Sequence, residues 1–568
     1  MSDILFMILR RLRAPLITLI TVYAISVGGL ALVPGLDPDG NRAPMSIFHA
    51  FYVMSYTATT IGFGELPYPF TDAQRLWVTF AIYLSVIGWA YTLGSVIALS
   101  NDAPFRALVA RGMFRRRARG ISEPFYILCG YGQSGSRLAT ALDQMGNRTI
   151  IVEPLVERTA RIAVQDFALP PLTLAADGRL ADVLEDSGIR SPHCLGLIAM
   201  AGEDGVNQAI AIGARVLNPS IPIVARAKSG VAKVNLESFG GVTVINPFET
   251  FAYDVGVALR TPEVVQIEDW LTATPGSPVP PCTQPPRGKW VLVGFGRFGR
   301  AIADVLDVEG IEWKAFDPSV SDVAEQRLLH GDYTENILRD AGIGTASVLV
   351  AGSDNDAVNL GATTLARRVK PDIFVVIRQN QMQDRALVEA ARADLEFVQS
   401  HLMEHECLQV LKTPMLGRFI GRLRTTASTM AAATLQRIRT EVGEGSPRAW
   451  RFDCDVLQPG MFYAFFQRVG APFTIGHLRN DPTNPRERMR VAALMLEREG
   501  GDRFLPDDDT LLKPGDRILF VGDDVARRLQ QRYSVEPGTV AWVCSGSEPP
   551  RGWIFRWWHQ RFRSGENS

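Results

Sequence analysis

Two long stretches without a charged residue, both near the beginning of the chain, constrain its fold most. They cover residues 15–33 and 76–99, nineteen and twenty-four residues. As helices that rise 1.5 Å per residue, they would be roughly 28 and 36 Å long, against about 30 Å for the hydrocarbon core of a bilayer. Each stretch is therefore predicted to span a membrane. A cleaved signal peptide is the alternative for the first stretch, but the apolar region of such a peptide is shorter.

The arginines around these stretches predict their orientation. Arg10, Arg11 and Arg13 precede the first stretch, and six arginines lie between residues 106 and 119, after the second. Cytoplasmic flanks of membrane helices carry an excess of Lys and Arg. We therefore expect a multi-pass protein of the plasma (cell inner) membrane whose N- and C-termini are both cytoplasmic.

A shorter apolar segment lies between the two predicted spans. Residues 44–58 would form about four helical turns, which is too short to cross a bilayer, with Pro44 near the helix start. The segment runs into T-T-I-G-F-G-E at residues 59–65. Irregular backbone at membrane depth is tolerated only inside protein or along a water-filled path. Alternating glycines allow successive carbonyls to point the same way, so the pattern predicts a re-entrant helix and an ion-conducting loop.

The pattern T-x-x-T-x-G-F-G at residues 57–64 resembles the selectivity filter of potassium channels. Ile61, Phe63 and Glu65 stand where that family usually has Val, Tyr and Asp. The resemblance implies that four chains surround one pore, whose oxygen atoms replace the water shell of K⁺. It implies K⁺ binding at the first four of the following filter residues: Thr60, Ile61, Gly62, Phe63 and Gly64.

Two glycines, Gly88 and Gly94, interrupt the second predicted span. The resemblance implies that Gly88 is the hinge at which an inner helix bends during gating. Close packing of helices is the alternative role, because glycine is common in membrane helices for that reason.

A dinucleotide-binding pattern follows a basic connector at residues 101–124. A short apolar run at 125–129 precedes a G-x-G-x-x-G motif and a helical stretch, and an acidic residue comes twenty-three residues after the first glycine. In this fingerprint the glycines bring backbone N–H groups to a phosphate at a helix start, and the acid binds ribose hydroxyls. A tight turn without a ligand is the alternative. The candidate residues are Gly130, Gly132, Gly135 and Glu153.

The same pattern occurs a second time, with the same spacing of twenty-three residues between the first glycine and the acid. In both copies an asparagine, Asn207 or Asn359, is also followed nineteen residues later by an arginine, Arg226 or Arg378. The repetition predicts a duplicated Rossmann-like α/β domain with parallel sheets. The candidate residues of the second copy are Gly294, Gly296, Arg297, Gly299 and Asp317.

The ligand class follows from the acids. Glu153 and Asp317 would both repel a 2′-phosphate, which favours NAD(H), ADP or ATP over NADP. Arg297 could bind a phosphate or pair with a neighbouring subunit.

Together with the pore segment, the two copies resemble the RCK (KTN, TrkA-N type) domains that regulate K⁺ channels and transporters. The resemblance implies a homotetramer with a gating ring of eight such domains, and a ligand that moves the inner helices. The ligand must bind the open and closed rings with different affinity. The resemblance does not decide whether Ca²⁺ also binds as a second ligand.

The predicted fold is thus a two-span α-helical pore domain with a re-entrant pore loop, tandem cytoplasmic RCK domains, and a small α+β C-terminal subdomain. Strand-like runs at 462–469, 490–496 and 517–521 indicate the subdomain. The predicted boundaries are 1–100 for the pore domain, 101–124 for the connector, 125–274 and 289–449 for the RCK domains, 275–288 for a Pro-rich linker, 450–535 for the subdomain and 536–568 for a tail.

The tail contains tryptophans and arginines at residues 551–563, which suit either a lipid interface or docking on the protein itself. No metal is predicted in the cytoplasmic part. Four potential metal ligands fall on one short stretch: His401, Glu404, His405 and Cys407. They lack the H-E-x-x-H order of a zinc site, so we expect a satisfied helix face, in which their polar groups have hydrogen-bond partners within the protein. Asp507, Asp508 and Asp509 are expected to form a solvated turn.

Composition excludes several classes of function. With 59 Lys+Arg against 60 Asp+Glu, the chain is close to neutral, which argues against nucleic acid as a partner. Six scattered cysteines imply neither disulfides nor zinc. The resemblances to potassium-channel filters and RCK domains imply a ligand-gated potassium channel, and no enzyme activity is predicted. The alternative is a membrane-anchored NAD-dependent oxidoreductase, which would need an acid or base beside the nicotinamide and would leave the glycine-rich loop without a role.

Overall fold

The fold is known from a computed structural model, which describes residues 2–37, 39–273, 275–319, 327–454, 473–535 and 539–545. The chain divides into two compact units. The first contains the chain up to Ile121 and the short segment Asp186–Gly188, and the second contains the remainder. The strand expected at 462–469 and the tail at 551–563 lie outside the described residues.

The first unit is helical. Its helices are α1 (Ser2–Leu32), α2 (Ile47–Ala58), α3 (Asp72–Asn101) and α4 (Ala103–Arg119), and its two short antiparallel strands are β1 (Pro34–Leu36) and β2 (Arg42–Pro44). Arg10–Leu32 and Asp72–Asn101 are long and apolar enough to cross a membrane. Both predicted spans therefore lie within helices, which are 31 and 30 residues long and exceed the uncharged stretches. The connector at 101–124 is mostly helix α4, a form that its Pro and Gly did not indicate.

The short helix α2 begins later than predicted. Pro44 was expected at the helix start, but it belongs to β2, where it pairs with Pro34. Ser46 is the N-cap instead, and its hydroxyl accepts a hydrogen bond from the backbone N–H of His49. A serine hydroxyl satisfies a free N–H at a helix start, which a proline ring cannot do.

Helix α2 packs between the two long helices. The buried core of this unit includes Leu30 of α1, Met54 of α2 and Ala81 of α3. The indole N–H of Trp77 donates to the carbonyl of Ser26 at 3.0 Å, which ties α3 to α1.

The second unit contains two parallel six-stranded sheets. The first sheet has the order β5-β4-β3-β6-β7-β8, and the second has the equivalent order β11-β10-β9-β12-β13-β14. This is the strand order 3-2-1-4-5-6 of a Rossmann fold, found twice. The predicted duplication is confirmed.

The first sheet consists of β3 (Phe125–Cys129), β4 (Arg148–Val152), β5 (Leu172–Leu174), β6 (Cys194–Ala199), β7 (Ile223–Arg226) and β8 (Val242–Ile245). Its helices are α5 (Gln133–Gln144), α6 (Val156–Val164), α7 (Ala181–Asp186), α8 (Asp204–Leu217) and α9 (Gly230–Ser238). Two helices follow it, α10 (Pro247–Arg260) and α11 (Pro262–Thr272).

The second sheet consists of β9 (Trp290–Val293), β10 (Trp313–Phe316), β11 (Leu328–Leu329), β12 (Val348–Ala351), β13 (Phe374–Gln379) and β14 (Leu395–Val398). Its helices are α12 (Arg297–Val308), α13 (Glu335–Asp340), α14 (Asp356–Val369) and α15 (Arg385–Ala390). Three helices follow it, α16 (Gln399–Lys412), α17 (Pro414–Leu423) and α18 (Ser428–Val442).

The repeated asparagines have the same structural role in both copies. Asn207 is fully buried and its amide donates to the carbonyls of Ala201 and Arg226. Asn359 is equally buried and donates to the carbonyls of Ser353 and Arg378. Each amide joins two neighbouring loops at the carboxyl ends of the strands, which explains the constant spacing of nineteen residues in the sequence.

The two copies exchange their trailing helices. Helix α10 follows the first sheet, but Phe248 and Val255 pack in the core of the second copy with Trp290. Helix α16 follows the second sheet, but Met403 and Cys407 pack in the core of the first. Boundaries drawn along the sequence therefore separate helices from the sheets that they cover.

A third layer completes this unit. Helices α11, α17 and α18 pack on an antiparallel sheet of order β15-β18-β16-β17. Its strands are β15 (Arg448–Asp453), β16 (Val491–Glu497), β17 (Arg503–Phe504) and β18 (Arg517–Gly522), and the short helices around it are α19 (Ile475–Leu478), α20 (Asp524–Val535) and α21 (Thr539–Ser545). The strands predicted at 490–496 and 517–521 are present as β16 and β18.

Candidate functional sites

The loop after α2 has left-handed backbone at every second residue. The φ angles of Thr60, Gly62 and Gly64 are +61°, +65° and +95°, and those of Ile61 and Phe63 are not positive. Such alternation turns successive carbonyls to the same side. Thr60 is not a glycine, so its positive φ is strained by about 1 to 3 kcal/mol, and strain of this kind collects at functional sites.

Contacts with α2 hold this loop. The N–H groups of Ile61 and Gly62 donate to the carbonyl of Tyr56, at 2.9 and 3.4 Å. The hydroxyl of Tyr56 donates to the carbonyl of Gly64 at 2.5 Å, and its ring meets Phe63 edge-on with centroids 5.4 Å apart. Phe63 has no hydroxyl group. The hydroxyl of Tyr56, on α2, makes a hydrogen bond to the loop instead. The sequence analysis missed Tyr56; its place one helical turn before Thr60 was the available signal.

The C-terminal end of the loop is fixed by Glu65. Its carboxylate accepts hydrogen bonds from Arg75 at 2.8 and 3.2 Å and from the N–H of Phe70 at 2.8 Å. A bidentate arginine defines both the position and the plane of a carboxylate. The loop is therefore held at its beginning by the backbone carbonyl of Tyr56 and at its end by the side chains of Tyr56 and Glu65.

A cavity of about 760 Å³ lies beside the first glycine motif, between the two copies. Its first-copy lining includes Gly130, Gly132, Gln133, Ser134, Glu153, Arg226 and Lys228. Its second-copy lining is Arg378, Gln379, Asn380, Gln381 and Met382, together with Val398, Gln399 and Ser400. A volume in this range suits a nucleotide-sized ligand.

The three glycines of the first motif have different reasons to lack a side chain. Gly130 has a φ of +100°, and a Cβ on Gly135 would lie 2.1 Å from the carbonyl oxygen of Gly130. Both are required by the turn itself. A Cβ on Gly132 would meet nothing within 4 Å, and the same is true of Gly296 in the second copy. Packing therefore does not explain why the middle glycine of the motif lacks a side chain. A ligand that lies close to the backbone at this position would explain it.

The two acids bind the glycine turns. Glu153 is only 2% exposed, and its carboxylate accepts from the N–H groups of Tyr131 at 2.7 Å and Leu155 at 3.1 Å. Asp317 accepts from the N–H of Phe295 at 2.8 Å and from Ser319. Burial opposes ionisation of Asp317, but these hydrogen bonds outweigh burial and lower its pKa. Each acid therefore shapes its own motif, and Glu153 also lines the cavity.

The second motif is packed differently. Arg297 begins α12, and its guanidinium lies 5.7 Å from the ring centroid of Phe248. Phe298, the next residue, is fully buried and stacks on Phe397 with centroids 4.8 Å apart. Arg297 is thus placed against the exchanged helix α10. The structure does not bring the two sets of predicted residues together in one site.

The acidic and histidine residues of α16 face an ion-pair network. Oxygen and nitrogen atoms of Glu268, His405 and Glu406 lie within 4.8 Å of one another, close enough for a metal ion. However, Arg424 donates to both carboxylate oxygens of Glu268, at 2.9 and 2.7 Å. Arg424 therefore already neutralises the carboxylate of Glu268. The network connects α11, α16 and the end of α17 through hydrogen bonds and ion pairs.

His405 is the titratable member of this network. Burial disfavours its charged form, but the nearby carboxylate of Glu268, 3.6 Å from Nε2 of His405, and the negative charge of Glu406 outweigh burial and raise its pKa. Among its neighbours on α16, Glu404 bonds to Arg137 at 2.8 Å, and Cys407 is buried in the first core, where burial raises its pKa. A satisfied helix face therefore describes Glu404 and His405, but Nε2 of His401 is buried without a hydrogen-bond partner among the described residues.

The acidic turn near the end of the chain is partly paired. Asp508 accepts from Arg479 at 2.5 Å and from Arg488 at 2.6 Å. Burial opposes ionisation of Asp508, but the two arginines lower its pKa. An aspartate already neutralised by two arginines is a poor cation ligand.

Comparison with known proteins gives a domain match and several relatives. Residues 126–247 and 290–398 match the TrkA-N domain. The chain is 26% identical over 227 residues to Potassium channel protein 1 of Methanocaldococcus jannaschii, covering 40% of this chain and 66% of the relative. It is 24% identical over 202 residues to the voltage-gated potassium channel Kch of Escherichia coli, covering 35% and 45%. The chain thus matches no more than about two thirds of the length of these relatives.

Solved structures with a similar arrangement include the GsuK channel and GsuK bound to ADP. The first is 16% identical, with a TM-score of 0.45, and the match covers 93% of this chain and 100% of that one. The second is 19% identical, with a TM-score of 0.44, and covers 72% and 100%.

Proposed function

We propose that this chain, which carries two TrkA-N domains and is related to potassium channel proteins, forms a potassium-selective pore regulated by a nucleotide. The alternating backbone of residues 60–64 is the single observation that carries the pore. Alternation of this kind is expected to turn successive carbonyls to one side of the loop, which lies between two helices long enough to span a bilayer. The activity involves no covalent chemistry.

In this proposal α1 and α3 cross the membrane, and α2 is a re-entrant pore helix. The long helices expose large apolar side chains: Leu76, Tyr83 and Ile87 of α3 are 74%, 68% and 66% exposed. Lipid and neighbouring subunits would cover them, because apolar surface of this extent is unfavourable in water. Four chains around one axis would place K⁺ at Thr60, Ile61, Gly62 and Phe63, with both termini in the cytoplasm.

The hinge at Gly88 stays a prediction. Gly88 lies within continuous helix α3, where a Cβ would lie 3.5 Å from a methyl group of Val22 on α1. A helix contact of this kind also supports the alternative, close packing.

The regulatory ligand in this proposal is NAD(H), ADP or ATP, bound at the first copy. Support comes from the open space at Gly132 and from the cavity beside it. Binding shifts gating only if the open and closed states differ in affinity for the ligand. We include no Ca²⁺ site, since Arg424 and the arginines beside Asp508 occupy the acids considered.

No observation favours the oxidoreductase alternative. Of the three acids at the cavity, Glu153 is held by backbone N–H groups, Asp177 is held by Arg179 at 2.6 Å, and Glu203 is the third. Proton transfer to a substrate needs an acid or base within hydrogen-bond reach of it. Groups engaged in this way are poorly placed for that role.

The pore is tested by flux into liposomes that contain the purified protein. Wild-type protein is expected to pass K⁺ in preference to Na⁺. Gly62→Ala should abolish flux, because alanine disfavours the positive φ of this position. Gly94→Ala is the matched control: Gly94 lies in α3, and a Cβ there would meet nothing within 4 Å. Undiminished K⁺ flux through Gly62→Ala would refute the filter assignment.

Regulation is tested in the same liposomes with NAD⁺, NADH, ADP or ATP on the cytoplasmic side. One of these ligands is expected to change K⁺ flux. K⁺-selective flux that none of them alters would contradict the regulatory part and leave the pore intact. Nicotinamide turnover without flux would support the oxidoreductase instead.

A further inference from the structure

Helix α4 carries six arginines and no acidic residue. It follows α3 after a single residue, Asp102, so it begins at the end of a helix long enough to span a membrane. The arginines are Arg106, Arg111, Arg115, Arg116, Arg117 and Arg119. Positive charge is therefore concentrated on one short helix beside a predicted span.

Most of this charge has no partner of opposite sign. The carboxylate of Asp186 accepts from Arg111 at 2.6 Å and lies 3.8 Å from Arg115, so one acid serves two arginines. The negative end of the helix dipole offsets only about half of one elementary charge in the last turn. The remaining four arginines are exposed and form no ion pair among the residues that the structure describes: Arg106, Arg116, Arg117 and Arg119.

The beginning of α1 brings further arginines to the same end of the long helices. The guanidinium of Arg11 lies 3.7 Å from the carboxylate of Asp102, which joins α1 to the junction of α3 and α4. Arg10 and Arg13 are exposed beside it in the sequence. The proposed topology places this end of the spans in the cytoplasm.

Exposed apolar side chains share the surface of α4 with the arginines. Met113 is 55% exposed and lies on the same face as Arg117, four residues later. Leu108 is 39% exposed and lies three helical turns before Arg119, also on one face. Phe114 is buried on a different face. A helix that exposes apolar groups next to arginines suits a bilayer surface, where the apolar groups enter the acyl boundary and the guanidinium groups reach the phosphates.

We propose that α4 binds the anionic headgroups of phospholipids in the cytoplasmic leaflet. The partner is a lipid because the surface combines cations with exposed apolar side chains at the end of a span, whereas a soluble anion would use only the cations. Guanidinium groups match the geometry of phosphate oxygens. The inference rests on the proposed function in one respect, namely that α1 and α3 cross the membrane.

The test counts the lipids that the purified full-length protein retains in native mass spectrometry, after incubation in detergent with equal amounts of phosphatidylglycerol and phosphatidylcholine. Wild-type protein is expected to retain at least about threefold more phosphatidylglycerol, because cations near the surface attract anionic headgroups. The triple variant Arg116→Gln, Arg117→Gln and Arg119→Gln should lower this ratio at least about twofold. Lysine at the same three positions should preserve most of the ratio, since the charges stay.

The matched control removes three positive charges from the second unit, as Arg190→Gln, Arg368→Gln and Arg385→Gln. The side chains of these arginines are 63%, 66% and 57% exposed, and each has a carboxylate partner. The control should therefore keep the wild-type ratio. An equal loss in the control and in the α4 variant would mean that net charge alone sets the ratio, and would overturn the inference.

The other outcomes are equally decisive. An unchanged ratio in the α4 glutamine variant overturns the inference, and dissociation of that variant into smaller species in size-exclusion chromatography would then assign the arginines to acids of a neighbouring subunit. If the triple variant does not fold, Arg117→Gln and Arg119→Gln are measured singly, and no decrease in either overturns the inference.

Lipid binding and ion flux are separate measurements, so the two proposals can fail separately. Protein that retains phosphatidylglycerol through α4 but passes no K⁺ in liposomes would refute the proposed pore and leave this inference intact. Release of the protein from membranes without detergent would refute both, since α1 and α3 would then not cross the bilayer.

Discussion

The two Rossmann copies have the same strand order and the same buried asparagine, but they differ at the fifth position of the glycine motif. That position is Ser134 in the first copy and Phe298 in the second. The exchanged helices show the same difference between a serine and a phenylalanine. The second residue of α16, which packs on the first copy, is Ser400, and the second residue of α10, which packs on the second copy, is Phe248. Ser134 and Ser400 line the cavity, whereas Phe298 and Phe248 contact each other with ring centroids 6.3 Å apart.

This difference shows how one duplicated backbone can take two roles. Two aromatic rings fill, in the second copy, the positions where two serines leave space in the first. Aromatic pairs contribute buried area and specific ring contacts, so they suit a packing junction. Small polar side chains beside a helix N-terminus suit an anion. Side-chain volume at two positions, and not the glycine motif, distinguishes the copies.

The largest expected effect comes from removing the aromatic packing. Phe298→Ala should lower the free energy of unfolding by about 3 to 5 kcal/mol, because it leaves a cavity among Phe248, Phe251 and Phe397. Denaturant unfolding of the full-length protein measures it. The equivalent change in the first copy, Ser134→Ala, should cost less than about 1 kcal/mol, since it removes a single hydroxyl. Similar losses for both variants would mean that the copies do not differ in packing.

Filling the first site should abolish ligand binding. Ser134→Phe places in the first copy the side chain that occupies the second, and should weaken ADP binding at least about 100-fold, or roughly 2.7 kcal/mol. Calorimetric titration measures this affinity. Val156→Phe is the control, because it adds the same ring at an exposed position of α6 that does not line the cavity. Unchanged binding by Ser134→Phe would place the ligand elsewhere.

Replacing the acids Glu153 and Asp317 should reveal a smaller difference in nucleotide affinity between the copies. Glu153→Ala should weaken nucleotide binding about tenfold, or roughly 1.4 kcal/mol, by removing a ribose contact and loosening the glycine turn. Asp317→Ala should change it less, because the ligand is proposed to bind in the first copy. The same titration decides between them. Unchanged affinity in both variants would refute the ribose contacts, and a larger loss for Asp317→Ala would move the ligand to the second copy.

The smallest expected effect concerns the link between the copies. Because the folded state raises the pKa of His405, its pairing with Glu268 stabilises the protein fully below the unfolded pKa of about 6.5 and is lost as pH rises through the folded value. Raising the pH from 6 to 9 should therefore lower the free energy of unfolding by up to about 1 kcal/mol from this pair, discounted for its partial exposure. His405→Gln should remove that part of the pH dependence, as measured by unfolding at each pH. An identical pH profile in wild type and variant would exclude the pair as a pH-dependent link.

Much of the fold could be predicted because it depends on local patterns. Uncharged stretches of nineteen and twenty-four residues indicated the long helices, and repeated glycine motifs at constant spacing indicated two Rossmann sheets. Local reasoning was wrong at Pro44, where strand pairing with Pro34 moved the helix start to Ile47. The filter residues stay a prediction that the alternating backbone supports.

Contacts between distant residues were not accessible in this way. Arg378 lines a cavity whose glycines lie almost 250 residues earlier in the chain. An amphipathic pattern shows that a helix has a buried face but does not say which sheet covers that face. The exchange of α10 and α16 therefore left no signal in either local pattern.

The sequence by itself determined which segments are long apolar helices, where the glycine-rich turns fall, and that one domain occurs twice. These features follow from residue type and spacing, since backbone conformation and hydrophobic periodicity are set by near neighbours. Only the tertiary structure decided that the copies exchange helices and that cations of both copies line one cavity. It also decided that two serines leave space at the first glycine motif, whereas two phenylalanines fill that space at the second. These depend on side-chain volume and charge brought together by long-range packing, which no local pattern specifies.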